Sequence, residues 1–162
     1  MIIASALGRL FDGLEIVYNE ANVGINYGYG DQKELLAWIT SQDKANVRKY
    51  PLVWYVLNDY TEFDGWYKSD VRLVIMQNTD STWFNPKRKE ESYTKILEPT
   101  WSSLKNSLTD SSYVEVFGGL EDRFKLKSEP KYAFSEIDKS EVSDVVDALV
   151  VEFKIRIKPS CI

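Results

Sequence analysis

Histidine is absent from this 162-residue chain, and cysteine occurs once, at Cys161. The first absence removes Ser-His-Asp and Cys-His nucleophile systems, imidazole general bases and every histidine-containing zinc site. The second removes an internal disulfide, a thiolate zinc site and an iron–sulfur cluster, and with them the class of disulfide-stapled secreted scaffolds. Positive charge is also scarce: 20 Lys and Arg face 25 Asp and Glu, for a net charge of −5. That balance speaks against sequence-independent binding to phosphate backbones. No run approaches the roughly 18 apolar residues of a membrane span. The apolar opening, residues 1–8, has no basic leader and is broken by Arg9, and Cys161 is out of register for a prenylation box. The expectation is a soluble, unexported protein with no metal and no organic cofactor.

What is present is a globular composition, 44% hydrophobic and 14% aromatic, which excludes disorder and coiled coil. The length fits one domain spanning residues 1–162. Ile3, Leu7, Leu10, Leu14 and Val17 recur at three- and four-residue steps, which predicts a first helix over residues 2–18. Val23, Ile25, Tyr27 and Tyr29 alternate with Gly24, Asn26, Gly28 and Gly30, the pattern of a bent strand. Asp31 and Glu34 form a capping box that opens a helix over 32–41. Leu52 to Leu57 is continuously apolar after Pro51, so a strand covered on both faces is expected. A loop over 59–69 then leads to a partner strand at 71–77.

Asn85-Pro86 reads as N-cap and first helical residue of a long helix reaching Ser107, which Pro99 must kink or split near Glu98. A strand at 113–117 ends at Gly118-Gly119. Residues 120–139 are charged and irregular, with short strands expected at 124–126 and 132–134. Val142, Val145, Val146 and Leu149 have the spacing of a helical turn. Val151, Phe153, Ile155 and Ile157 alternate with Glu152, Lys154, Arg156 and Lys158, a strand with one buried and one wet face. The fold class is α+β, an antiparallel or mixed sheet covered by two main helices.

Few residues suggest a site. The glycines at 24, 28 and 30 match no phosphate-binding loop, and a bent ribbon accounts for them. Asp59, Glu62 and Asp64, and again Asp138, Glu141, Asp144 and Asp147, lack calcium-loop spacing and read as solvated acidic faces. Lys87-Arg88-Lys89 reads as a solvated helix start offset by Glu90 and Glu91. The aromatic pairs Trp66-Tyr67 and Trp83-Phe84 flank a strand in segments that read as loops, and large aromatics in loops suit interface anchors. With Tyr60 and Phe63 they are the candidate interface residues, no catalytic group being assigned. A rival reading, a small soluble ligand-binding or carboxylate-dependent enzyme domain, would line an aromatic pocket with Trp38, Trp54, Tyr55 and Trp101 and use Asp59 as acid or base. A small protein that binds a single host target is a third.

The helix at 3–17, Tyr50-Pro51-Leu52-Val53-Trp54, the strand at 71–77, the helix at 86–107 and the strand at 151–158 follow an order that resembles the tail-terminator and tail-completion family of tailed bacteriophages. These are head–tail connector proteins. The resemblance implies a non-catalytic virion protein at the head–tail junction or tail, assembled in the host cytoplasm. It implies a homo-oligomeric ring, six- or twelvefold, that contacts portal, neck or tail proteins and neither sequence-specific nucleic acid nor membrane. The extra helix at 32–41 and the charged stretch at 120–139 depart from the family pattern. An acidic balance suits a channel past which DNA must slide.

Overall fold

The computed structural model describes residues 1–118, 123–132 and 144–158. Its elements are α1 (Ile2–Phe11), β1 (Glu15–Tyr18), β2 (Ala21–Gly24), β3 (Asn26–Gly30), α2 (Gln32–Ala45), β4 (Leu52–Val56), β5 (Tyr60–Phe63) and β6 (Trp66–Asn78). A long helix follows, made of α3 (Asn85–Arg88), a π-helical stretch (Lys89–Leu97) and α4 (Glu98–Asp110), and then β7 (Val114–Phe117), β8 (Lys125–Glu129) and β9 (Val146–Ile157). The fold is α+β, as expected, and the sheet is mixed.

The two longest strands, β6 and β9, pair antiparallel over their whole length, Tyr67 opposite Ile157 and Asn78 opposite Val146. Each shares its outer edge between two shorter strands. On β6 these are β5, opposite 66–69, and β4, opposite 72–76. On β9 they are β7, opposite 154–157, and β8, opposite 148–152. Among the described strands, only β3, which pairs with β4, is parallel to its neighbour. One end of the sheet is therefore β3-β4-β6-β9-β8 and the other is β5-β6-β9-β7.

Strand alternation sends Leu149, Val151, Phe153, Ile155 and Ile157 of β9 to one face, under α1 and the long helix. Val53, Leu73 and Ile75 join them there. On the other face Val146, Ala148 and Val150 meet Leu52, Trp54, Val74 and the buried side of α2. That second cluster stops at Val150. Beyond it β9 presents Glu152, Lys154 and Arg156, and β6 presents Lys68, Asp70 and Arg72, and no described element covers them. The apolar run at 52–57 is covered on both faces only through Tyr55: Val56 is half-buried and Leu57 is exposed.

Several expectations are corrected. The first helix stops at Phe11, because Asp12-Gly13 turns the chain with Gly13 at φ +72°. Residues 15–18 then form a hairpin with 21–24 through Asn19 and Glu20, both at positive φ. Leu14 and Val17 share the helical spacing by coincidence, and Val17 is exposed. The Gly-rich segment is two strands, β2 and β3, and the helix from Asp31 extends past 41 to Ala45, closed by left-handed Asn46. The capping box is in place. The long helix starts one residue early, with Phe84 rather than Asn85 at the cap. It is not broken at Pro99. The π-helical stretch ends at the expected place, where the Glu98 N–H reaches the Tyr93 carbonyl five residues back. Widening the turn accommodates a proline that supplies no N–H and would crowd the carbonyl four residues before it. Residues 144–149 contain no helical turn: β9 begins at Val146. The strand expected at 124–126 is β8, whereas Tyr132 lies outside any strand and 133–134 lie outside the described residues, as do 138 and 141.

Candidate interaction surfaces

The segment 59–69 is not a loop. Asp64 and Gly65, at φ +51° and +72°, make a two-residue turn of the kind that matches strand twist, and β5 pairs back on β6 from Phe63 opposite Trp66 to Tyr60 opposite Ser69. Alternation then puts aromatics on both faces of this hairpin. Tyr60 and Tyr67 meet edge to face at 5.6 Å on the helix-covered side. Phe63 and Trp66 stand on the bare side, with Lys68 Nζ 5.4 Å from the Phe63 ring and the Arg156 guanidinium 4.6 Å from the Trp66 ring. Arg156 is held there by Glu115, whose Oε2 accepts from its Nε at 2.7 Å.

All four residues of β5 are exposed, and no described strand pairs with its outer edge. Phe63 is 68% exposed. Tyr67 packs partly against the core of its own chain, and Trp66 is half-buried under its cations. The other aromatic pair lies at the far end of the molecule. β6 has 13 residues, a span of about 40 Å at the usual strand rise, and the chain then turns to Trp83 and Phe84. Trp83 is half-buried, with Lys87 Nζ 4.9 Å from its ring, while Phe84 is 84% exposed. The six residues thus form two separate patches rather than one.

The second patch is held by a residue that reads as solvated in the sequence. Arg88 is buried, not solvated, and its Nη1 donates to Oδ1 of the equally buried Asp147. Its Nη2 donates to the carbonyls of Asp80 and Trp83 at 3.3 and 3.1 Å, pinning the turn that presents Phe84. Asp80 Oδ1 closes that turn by accepting from the Thr82 hydroxyl at 2.6 Å and from the Thr82 N–H at 2.8 Å, and these two bonds hold its carboxyl below the usual carboxylate range. Asp144 is also no free surface acid. Its Oδ2 accepts from Lys49 Nζ and, at 2.8 Å, from the Tyr50 hydroxyl. The acidic-face reading therefore fails at Asp144 and Asp147, while Asp59, Glu62 and Asp64 are exposed as expected.

The rival pocket does not assemble. Trp54 and Tyr55 are neighbours in β4 and so point to opposite faces. Trp38 joins Trp54 under α2, whereas Trp101 and Tyr55 belong to the other cluster, and Asp59 is exposed at the base of the hairpin. Among the described residues, no three carboxylates gather as a metal site would require. No described helix is long and apolar enough to cross a membrane. A groove of about 680 Å3 lies on the bare face, where β7 gives way to β8. Comparison with known proteins finds no matching family model and no matching curated protein.

Proposed function

We propose that this chain is a non-catalytic virion structural subunit of the tail-terminator or head–tail connector kind, which assembles as a ring at the neck or tail of a phage. The observation that carries this reading is the β5–β6 hairpin, an edge strand exposed along its whole length with aromatic side chains on both faces. An uncovered, aromatic edge strand is a template for association, and folded proteins do not ordinarily leave one without a partner. A head-to-tail ring needs two unlike patches per subunit, and the hairpin supplies one of them. The order of helices and strands adds the family resemblance.

Electron micrographs of the purified protein, and of virions labelled with an antibody against it, test the proposal. Rings in the first and label at the head–tail junction or tail in the second are expected. Unassembled particles together with unlabelled virions would overturn it.

A further inference from the structure

The groove on the bare face has an electrostatic character opposite to that of the protein. Its lining holds four cations, Arg72, Arg123, Lys125 and Lys154, against two carboxylates, Asp70 and Glu152, in a chain of net charge −5. The counter-charges are loosely engaged: Arg72 to Glu152 and Lys154 to Asp70 are each 3.9 Å, with all four side chains well exposed. Arg123 and Lys125 pair with no carboxylate among the described residues. Phe117 forms an apolar wall and is 37% exposed.

We propose that this groove receives the β5–β6 hairpin of a second copy of this chain. The inference rests on the assembly reading above and names the surface that accepts the hairpin. From Asp59 to Lys68 the hairpin carries three carboxylates, Asp59, Glu62 and Asp64, and one ammonium, so its excess charge is equal and opposite to the groove's. Phe63, the most exposed aromatic side chain of the hairpin, supplies the apolar surface that would meet Phe117. A polyphosphate fits less well, because Asp70 and Glu152 lie in the lining and would repel it, whereas a strand bearing both signs satisfies them. The volume lies within the roughly 300–1,000 Å3 of sites that enclose a ligand of several groups.

A chain cannot bring the hairpin tip into its own groove, although the base of the hairpin borders it through Asn58 and Asp70. Pairing with β6 fixes the hairpin tip beside Trp66, six residues from Arg72 and about 20 Å away along the strand. The contact therefore joins unlike surfaces of two copies, the condition for a head-to-tail array that can close.

Two charge-reversed variants test the contact: Asp59→Lys with Glu62→Lys in the hairpin, and Arg123→Glu with Lys125→Glu in the groove. All four positions are exposed, so circular-dichroism melts should match the wild type, and Arg123→Gln with Lys125→Gln serves if the groove variant folds poorly. Solution mass at low salt is the readout. Each double variant should associate at least about tenfold more weakly than the wild type, the quadruple variant should recover assembly, and so should an equimolar mixture of the two doubles. Wild-type rings whose double variants assemble unchanged would overturn the groove contact and leave the assembly reading standing. Doubles that dissociate with no recovery in the quadruple or the mixture would also overturn it. A monomeric wild type would overturn the assembly reading itself.

Discussion

Arg88 and Asp147, 59 positions apart in sequence, form an ion pair buried at the junction of the long helix and the start of β9. The guanidinium also donates to Thr79 Oγ1 at 3.2 Å and to the carbonyls of Asp80 and Trp83, so one side chain ties helix, strand and turn together. Lys131 adds its backbone N–H to Asp147 Oδ1 at 3.0 Å.

Removing one partner of this pair leaves the other charge buried alone. Asp147→Ala is expected to cost about 3–5 kcal/mol in urea melts. Arg88→Met combined with Asp147→Leu should recover most of that loss, because an apolar pair of similar volume carries no desolvation cost. A double variant no more stable than Asp147→Ala would contradict this account.

Gly28 is required by Trp54. A Cβ at position 28 would stand 2.4 Å from the indole Cζ3, and the indole is fixed because its Nε1 donates to the Gly30 carbonyl at 3.1 Å. Gly28→Ala should therefore lose about 1–3 kcal/mol, and Gly28→Val more. An alanine variant as stable as the wild type would mean that Trp54 moves freely.

The core of the helix-covered face is tested at Ile155, which has no exposed surface. Ile155→Ala should lose about 2–5 kcal/mol. A loss under about 0.5 kcal/mol, the range of surface changes, would remove this residue from the core.

Burial pushes the hydroxyls of Tyr27, Tyr50 and Tyr93 well above their ordinary value of 10.0. Asp144 adds to the effect at Tyr50, whose hydroxyl it accepts. These groups keep their protons in the fold after the unfolded chain has begun to lose them. Their contribution to stability is therefore complete below pH 10 and is lost as pH rises above it. Urea midpoints should hold steady from pH 7 to 9 and fall beyond 10, and Tyr27→Phe should shallow that fall. An unchanged slope would remove Tyr27 from its cause.

Much of the fold was legible because burial writes a period into the sequence. The strict alternation of 151–157 and the continuous run at 52–57 are legible for that reason, although the strand stops at Val56 and Leu57 is exposed. The helix from Asp31 was found by its capping chemistry. Where burial does not act, the pattern fails. Residues 66–70 form the first part of β6, yet they read as a loop because the bare face gives Trp66, Lys68 and Asp70 no apolar requirement. Their strand is set instead by the Asp64-Gly65 turn and by register with β9. Arg88 reads as one cation among three, since nothing local tells it apart from Lys87 and Lys89. Its partner is remote in sequence and itself reads as part of an acidic face. The groove was illegible for the same reason: its cations come from β6, β9 and the start of β8 and converge only when those strands pair.

The aromatic hairpin divides cleanly by burial. Phe63→Ala should weaken association while moving the monomer's stability by less than about 0.5 kcal/mol, as at an exposed anchor. Tyr67→Ala should lower monomer stability as well, since Tyr67 packs against its own core. Equal effects of the two changes on melting would contradict the assignment of Phe63 to a contact between copies.

The most direct test of the central claim is the mass of the wild-type protein in solution, read by light scattering at tens of micromolar and near-physiological salt. A closed assembly of six or twelve subunits of 18.7 kDa is predicted. A single species of 18.7 kDa across the whole concentration range would contradict the reading of this chain as a ring subunit.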